Sequence, residues 1–315
     1  MLTNETVVKL LQQLVDEVRG LREDLRGRYS GSGTQMPVFA PGTSARVDPQ
    51  TESPDGSAEP QETGETERFL CSIGVGVKTR REPEPGQEFL DRIAFYMGDR
   101  FDTLRKAISL LKRTVQCGQG FKMSLVGETQ ATVSNVCQLF SRLHDLAYLQ
   151  KYNYRNSPYF QIFAKTSPEP KVQNFITGGW LERYALKVLQ ESHAELVGDD
   201  PAMRLDYLAN PQVSLPDGDD FELDVLGMVG NKPVWIEAKT GDYQTHVAKY
   251  TRIANRLGLK DRLILLLSAC NEQECMALSM TYGIRVANCR TLKRHLAELL
   301  GEQMAPETWK ARAVA

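Results

Sequence analysis

The sequence predicts an α/β protein whose C-terminal part is a mixed β-sheet flanked by helices. After residue 168, apolar strand-like runs alternate with helical patterns, as expected for a sheet with helices on its faces. Before that point, helical patterns are followed by a hairpin pattern, and a polar run separates them from a short N-terminal helix. These patterns divide the chain into segments 1–27, 28–67, 68–167, 168–302 and 303–315, the last a short tail.

Composition excludes several classes of protein. The chain has 315 residues, of which 25% are charged and 41% hydrophobic, as in ordinary soluble domains. No apolar run approaches the roughly 20 residues that span a bilayer, and the first residues lack a signal-peptide pattern. Six cysteines without a C-x-x-C pair indicate reduced thiols. We therefore expect a cytoplasmic protein with no membrane partner.

Residues 1–27 are predicted to form an amphipathic helix with a heptad repeat. Its apolar positions alternate between spacings of four and three: Val7, Leu11, Leu14, Val18, Leu21 and Leu25. Because so short a helix cannot bury this stripe on itself, we expect a homodimer, a higher homo-oligomer or a protein partner at this helix. The alternative is packing onto its own domain.

Residues 28–67 are predicted to be a disordered acidic linker. The run is rich in Gly, Ser, Pro, Thr and Glu, and from Val47 to Glu67 it carries seven acidic residues and no Lys or Arg. Such a composition buries too little apolar surface to fold.

Residues 68–167 have the order of elements of a winged helix-turn-helix. FLCSIGVGV is a predicted strand, two helical patterns and a polar break (CGQGFKMS) follow, and a longer helix precedes a hairpin with its turn at 155–158. Between Phe101 and Lys165 there are nine Lys or Arg and three Asp or Glu, which favours an anionic partner. The candidate nucleic-acid contacts are Arg142, Lys151 and Arg155; the alternative is a protein-docking module.

The C-terminal segment places two carboxylates and a lysine together. FELDVLGMVG and VWIEAKTG are predicted to be adjacent strands joined by a turn, so Asp224 pairs close to Glu237. Strand side chains alternate, so Lys239 shares the face of Glu237. Since burying unpaired charge is costly, we predict a hard divalent cation, Mg²⁺ or Mn²⁺, held by carboxylates and a backbone carbonyl. The lysine would orient or help deprotonate a water, or stabilise charge on a phosphate.

This pattern resembles the PD-(D/E)xK nuclease superfamily. The motif here is Asp224, twelve residues, then Glu237-Ala238-Lys239, and the preceding helix carries Glu182. The resemblance implies a restriction-endonuclease-like sheet, with Asp224, Glu237 and Lys239 catalytic. It also implies a metal held by Glu182, Asp224, Glu237 and the carbonyl of Ala238.

A narrower resemblance covers residues 174–300. GGWLERYAL, FELDVL, VWIEAKTG and KYTRIANRLG are similar to the nuclease domain of the CARF-linked ancillary nucleases of type III CRISPR systems. That family is activated by cyclic oligoadenylates and cuts nucleic acid with Mn²⁺ or Mg²⁺. Upstream, this chain departs from the family, because a heptad helix and linker stand where a complete CARF domain would be.

We therefore expect a metal-dependent endonuclease, with DNA favoured over RNA as substrate and a role in defence against foreign nucleic acid or in repair. Lys249 and Tyr250, on the helix that follows the strand carrying Lys239, are candidate contacts to the phosphate backbone of nucleic acid. The alternative is that they are simply solvated, as polar residues on a helix more often are. The alternatives are a catalytically silent nucleic-acid-binding or scaffold protein with the same fold, and a transcription regulator built on the winged helix.

Overall fold

The computed structural model describes residues 64–80, 86–198 and 200–302, which lie within one compact unit. The predicted heptad helix, the C-terminal tail and the predicted linker up to residue 63 lie outside the described residues.

Helices and strands alternate along the described chain. The α-helices are Glu65–Ser72 (α1), Gln87–Asp99 (α2), Phe101–Cys117 (α3), Gln130–Asp145 (α4), Pro170–Asn174 (α5), Trp180–Leu196 (α6), Gln244–Arg256 (α7), Glu272–Tyr282 (α8) and Leu292–Gly301 (α9). The strands are Gly76–Thr79 (β1), Gly120–Ser124 (β2), Leu149–Arg155 (β3), Gln161–Thr166 (β4), Leu205–Ala209 (β5), Gln212–Ser214 (β6), Asp220–Glu222 (β7), Val225–Val229 (β8), Lys232–Lys239 (β9), Leu263–Leu267 (β10) and Arg285–Ala287 (β11). A π-helix, Phe175–Gly179, joins α5 to α6. None of the helices in the described ranges is long and apolar enough to cross a bilayer.

Local signals set several helix ends. Thr129 caps α4 by accepting a hydrogen bond from the Thr132 backbone N–H. At α8, Asn271 and Glu274 form a reciprocal capping box. Helix α3 ends at Gly118, whose positive φ of 62° favours glycine.

The central sheet has five strands in the order β11-β10-β9-β8-β5. Strand β10 runs parallel to β9 and β11, whereas β8 is antiparallel to β9 and to β5. Ile236 and Leu266 face a core shared with α6 and α9, and Trp235 and Leu265 face a second core shared with α7. The predicted mixed sheet flanked by helices is therefore confirmed.

The run FELDVLGMVG is not the single strand that its pattern predicts. It divides into β7 and β8, and β7 leaves the central sheet to form a small antiparallel sheet in the order β1-β6-β7. The backbone is held at the break, because Leu223 N–H donates to Pro211 O (3.2 Å) and Asn210 N–H donates to Asp224 O (2.9 Å). Strands β5 and β6 are absent from the prediction because no strong apolar alternation marks them.

The prediction of a strand over FLCSIGVGV is also wrong in its first half. Residues Phe69–Ser72 end helix α1, and extended structure starts only at Gly76. Helix α1 is anchored from outside its own sequence, since Thr66 N–H donates to Asp206 Oδ2 (2.7 Å) and Leu70 is fully buried. The same helix includes Glu65–Glu67, which the composition assigns to the disordered linker.

The segment after α2 contains one more strand than predicted. The predicted hairpin is present as β3 and β4, and the predicted polar break forms β2, which gives the order β2-β4-β3. Phe121 and Met123 alternate into the core and account for this strand. Helices α2, α3 and α4 have 13, 17 and 16 residues, so no marked contrast between a short and a long helix is observed. The winged helix stays a prediction.

Residues on both sides of position 168 share one hydrophobic core. Helix α2 lies along α6, where Arg183 forms an ion pair with Asp91 (2.6 Å). The ring of Tyr184 lies against Gly98, and its hydroxyl donates to Cys289 O (2.8 Å). A β-carbon at Gly98 would come within 2.4 Å of that ring, so the two helices approach closely only because this residue is glycine.

Gly98→Ala tests this helix contact. The methyl group meets the Tyr184 ring, so we expect the free energy of unfolding to fall by about 1–3 kcal/mol, as for other overpacked cores, despite the higher helix propensity of alanine. Denaturant titration measures the change. Gly76→Ala is the matched control, because no atom of the part of the chain that the structure describes lies within 4 Å of its added β-carbon. Equal stability of the two variants would contradict the close α2–α6 packing.

Candidate active site

Strand register places Asp224 beside Glu237. Strands β8 and β9 pair with Val225 opposite Ile236, and one residue further Asp224 N–H donates to Glu237 Oε1 (3.2 Å). Asp224 occupies the break just before β8, whereas Glu237 lies within β9. The predicted pairing of these two carboxylates is therefore observed, although Asp224 lies outside regular strand structure.

Glu237 is fully buried, with 0% of its surface exposed. Its Oε1 atom accepts a second hydrogen bond from Trp235 Nε1–H (2.9 Å). Its Oε2 atom has no hydrogen-bond partner among the described residues and lies 3.7 Å from Lys239 Nζ. Hydrogen bonds from Asp224 and Trp235 thus fix the Oε1 atom. Negative charge on the Oε2 atom is offset by the Lys239 ammonium.

Asp224 and Lys239 form the second half of the arrangement. Asp224 is 4% exposed, and its Oδ2 atom accepts hydrogen bonds from Ala238 N–H (2.7 Å) and from Lys239 Nζ (3.2 Å). The Lys239 ammonium lies 5.3 Å from the centre of the Tyr250 ring. The lysine is therefore close to both carboxylates and rests on an aromatic face.

Burial and charge act in opposite directions on these groups. Burial, followed by the charge of Asp224, raises the pKa of Glu237 well above its ordinary value. Burial alone would lower the pKa of Lys239, but the Asp224 and Glu237 charges outweigh it and raise that pKa. The ammonium therefore keeps its proton at neutral pH.

Glu182 approaches from helix α6. Its Oε2 atom accepts a hydrogen bond from Asn210 Nδ2 (2.8 Å), while burial and then the Asp224 charge raise its pKa. Over the ranges that the structure describes, no group of three or more His, Cys, Asp or Glu side chains has the arrangement of a metal site. Asp224 and Glu237 are thus brought together, and Glu182 stays beside them without completing such a group.

Asn210 is a site residue that the sequence does not indicate. Its side chain holds Glu182 and its backbone N–H holds Asp224, so it connects α6 to the break before β8. Its positive φ of 51° is a conformation that asparagine tolerates better than most residues. An isolated asparagine after a weakly patterned strand carries no signal in a single sequence.

Lys112 is the second residue missing from the prediction. It lies on α3, far from the motif in sequence, and its Nζ atom donates to Thr240 O (3.0 Å) and Thr240 Oγ1 (2.9 Å). Thr240 directly follows Lys239, and its hydroxyl donates to Thr177 O in the π-helix. Burial lowers the pKa of Lys112. The Lys112 ammonium on α3 thus anchors the C-terminal end of β9.

The other predicted contacts have different surroundings. Tyr250 is buried, with 5% of its surface exposed, and its ring lies beneath the Lys239 ammonium. Its contact with nucleic acid stays a prediction. Lys249 is exposed and lies over the Phe221 ring (5.2 Å). Arg142 stacks on Tyr96 (4.2 Å) in the helical part of the chain. Lys151 and Arg155 are exposed on β3.

A cavity of about 600 Å³ adjoins the carboxylates. Glu182, Asn210 and Glu222 line one part of it, and Arg80 and Lys171 contribute positive charge. The π-helix forms another wall, with Thr177 and Gly178 among the lining residues. The cavity therefore combines the carboxylates of Glu182 and Glu222 with two basic side chains that are ion-paired, Arg80 with Glu67 and Lys171 with Glu169.

This protein is similar to known proteins in its fold. No family model and no curated protein matches this sequence. Among solved structures, protein VC1899 from Vibrio cholerae is similar, with 20% sequence identity and a TM-score of 0.50 over 74% of this chain and 60% of that one. Can2 from Sulfobacillus thermosulfidooxidans, solved in complex with cyclic tetra-adenylate, matches over the same shares with 18% identity and a TM-score of 0.49. This chain thus spans about 60% of the length of each, and the likeness to VC1899 shows a shared fold.

Glu237→Gln tests the buried charge in metal-free protein. Because the folded state holds the Glu237 proton more tightly, this carboxyl stabilises the fold most below its unfolded pKa of about 4.3. That stabilisation is lost as pH rises through the folded pKa. Glutamine does not titrate, so the Tm of the variant minus that of the wild type should increase as the pH rises above the unfolded pKa of about 4.3.

The measurement is thermal unfolding in EDTA, with Glu222→Gln as control, since Glu222 is exposed on β7. A Tm difference that is independent of pH for Glu237→Gln would show that burial does not perturb this carboxyl.

Proposed function

We propose that this protein is a metal-dependent nuclease that hydrolyses phosphodiester bonds of nucleic acid, with DNA favoured over RNA. The observation that carries the proposal is the buried contact of Asp224, Glu237 and Lys239 at the end of β9. Three ionisable side chains inside a sheet are costly for stability, and a purely structural role would be served better by apolar side chains. The cost is understandable where charge must be placed next to a reacting phosphate.

The donor atoms suit a hard divalent cation. The Oε2 atom of Glu237 is buried and accepts no hydrogen bond from the described residues. The pKa values of Glu182 and Glu237 are both raised by burial and then by the charge of Asp224. Such mutual repulsion is what a cation relieves. Asp224, Glu237 and the carbonyl of Ala238 would hold Mg²⁺ or Mn²⁺, with Glu182 joining from α6. A bound ion of this kind acidifies a water and neutralises charge on a phosphate.

Lys239 would act through its charge. Its raised pKa keeps the ammonium protonated, so it is suited to stabilising a phosphate oxygen or orienting a water and poorly suited to accepting a proton. Tyr250 beneath it and Asp224 beside it hold the ammonium at the strand end. Arg80 and Lys171 at the adjoining cavity are suited to the phosphates of a bound strand.

The biological setting follows from the resemblance of the motifs. We propose a role in defence against foreign nucleic acid, with repair as the alternative, in a cytoplasmic homodimer or larger assembly. Self-association or partner binding would be the task of the heptad helix in residues 1–27.

A second function has one observation in its favour. Lys239 pairs with both carboxylates, so the site is largely charge-compensated by the protein itself. Together with the lack of a three-ligand cluster among the described residues, this favours a catalytically silent nucleic-acid-binding scaffold. Metal binding and cleavage separate the two functions.

Asp224→Asn is the decisive variant. Plasmid, linear duplex, single-stranded DNA and single-stranded RNA are incubated with Mn²⁺, Mg²⁺ or EDTA. Since even a residue that only orients a metal ligand is worth about 10–100-fold, we expect cleavage by the wild type to need metal and the variant to lose more than about 100-fold. Glu88→Gln, which changes an exposed carboxylate on α2, should cut like the wild type. No cutting, together with no Mn²⁺ binding in calorimetry, would establish the scaffold instead.

Lys112→Met tests the anchoring of the lysine strand from α3. Loss of both hydrogen bonds to Thr240 should loosen the end of β9 and lower kcat by about 10-fold, with KM and Mn²⁺ affinity nearly unchanged. Lys112→Arg should restore part of kcat. Lys106→Met is the matched control, because Lys106 is an exposed lysine of the same helix, paired with Glu128. A rise in KM alone would instead make Lys112 a substrate-binding group.

A further inference from the structure

The three-stranded sheet β2-β4-β3 has one buried and one open face. Phe121 and Met123 of β2, and Ile162 and Ala164 of β4, point into the core. Side chains alternate along a strand, so the residues between them form the other face. Across that face the register pairs Lys122 with Phe163, and Lys151 with Lys165.

This outer face is positively charged. It carries Lys122 on β2, Lys165 on β4, and Lys151 and Arg155 on β3, and its nine residues include no Asp or Glu. None of these four forms an ion pair with another residue of the described ranges. Lys151 lies directly opposite Lys165, a like-charge pair that destabilises a sheet. The fold alone gives no reason for this arrangement, whereas an anionic ligand does.

An aromatic ring lies at the centre of the charged face. Phe163 is on the middle strand and half-buried, and its ring leans over Gly120 of β2. A β-carbon at Gly120 would come within 3.0 Å of the ring, so the glycine leaves room for it. A phenyl ring surrounded by lysines on an open sheet is a platform on which an unpaired base can stack.

We propose that this outer sheet face binds single-stranded nucleic acid, with phosphates at Lys122, Lys151, Arg155 and Lys165 and a base on Phe163. A duplex could meet the charges but keeps its bases stacked within the helix, so the ring favours a single strand. The proposal rests on the proposed function for the chemical class of the ligand. It assigns to this face the holding of the strand, separately from Asp224 and Glu237.

The first test is binding by the full chain in EDTA, where cleavage does not interfere. The probes are fluorescein-labelled single-stranded DNA and RNA of about 20 nucleotides, longer than common single-strand sites, and the matched duplex. Lys122→Glu/Lys165→Glu should weaken single-strand binding by at least about 10-fold and flatten its salt dependence, because phosphate contacts are lost. Lys187→Glu/Lys293→Glu makes the same change in net charge on α6 and α9 and should bind like the wild type.

The second test removes the ring and keeps its packing. Phe163→Leu preserves an apolar side chain against Gly120 and should weaken single-strand binding by about 5- to 100-fold, the range for one stacked base, with little effect on the duplex. Unchanged Tm and circular dichroism establish that each variant is folded.

The outcomes separate this inference from the nuclease itself. Unchanged single-strand binding in the lysine variant overturns the inference, including the case in which the acidic residues 47–63 of this chain occupy the face. If the double lysine variant loses single-strand and duplex binding equally and Phe163→Leu changes neither, the assignment to a single strand is overturned. If the wild type neither cuts any substrate nor binds Mn²⁺ in calorimetry, yet the lysine and phenylalanine variants lose binding as expected, the nuclease is rejected and this surface stands.

Discussion

The mutual compensation of Asp224, Glu237 and Lys239 is the constraint on which the rest of the site depends. A carboxylate with no exposed surface would be driven to neutrality unless charge and hydrogen bonds held it. Trp235 and the Asp224 backbone satisfy one oxygen of Glu237, and Lys239 faces the other. Because Lys239 pairs with both carboxylates and offsets their mutual repulsion, the fold tolerates these ionisable groups inside a five-stranded sheet. The Oε2 atom of Glu237, which accepts no hydrogen bond from the described residues, stays available for a ligand.

The break between β7 and β8 gives Asp224 its freedom to serve this arrangement. In an unbroken strand its backbone would be committed to ladder hydrogen bonds, and β7 could not turn away to pair with β6. At the break, the backbone carbonyl of Asp224 accepts from Asn210 and its N–H donates to a side chain, Glu237. The irregularity therefore places a carboxylate at the sheet edge next to the cavity that Glu182 lines.

How far the sequence predicts this site depends on how many positions separate the contacting residues along the chain. The Glu237–Lys239 spacing and the single turn back to Asp224 are local, so alternation and hairpin pairing place all three residues together. Lys112 reaches Thr240 across 128 positions, and no pattern in one sequence records such a contact. The start of α1 follows the same logic, since a hydrogen bond from Thr66 to Asp206, 140 positions away, favours a helix where the composition favours a disordered linker. The burial of Tyr250 beneath Lys239 is not predicted for another reason: a helical pattern does not tell whether a tyrosine covers a lysine or faces solvent.

The candidate site depends on contacts between the helices α2 and α3 and the elements that carry the site residues, α6 and β9. Arg183 and Asp91 tie α6 to α2, and Lys112 ties α3 to the residue after the catalytic lysine candidate. Tyr184 fills the space that Gly98 leaves, so α6, which carries Glu182, takes its position from α2. The positions of Glu182 and of the end of β9 thus depend on contacts with the helices that precede residue 168.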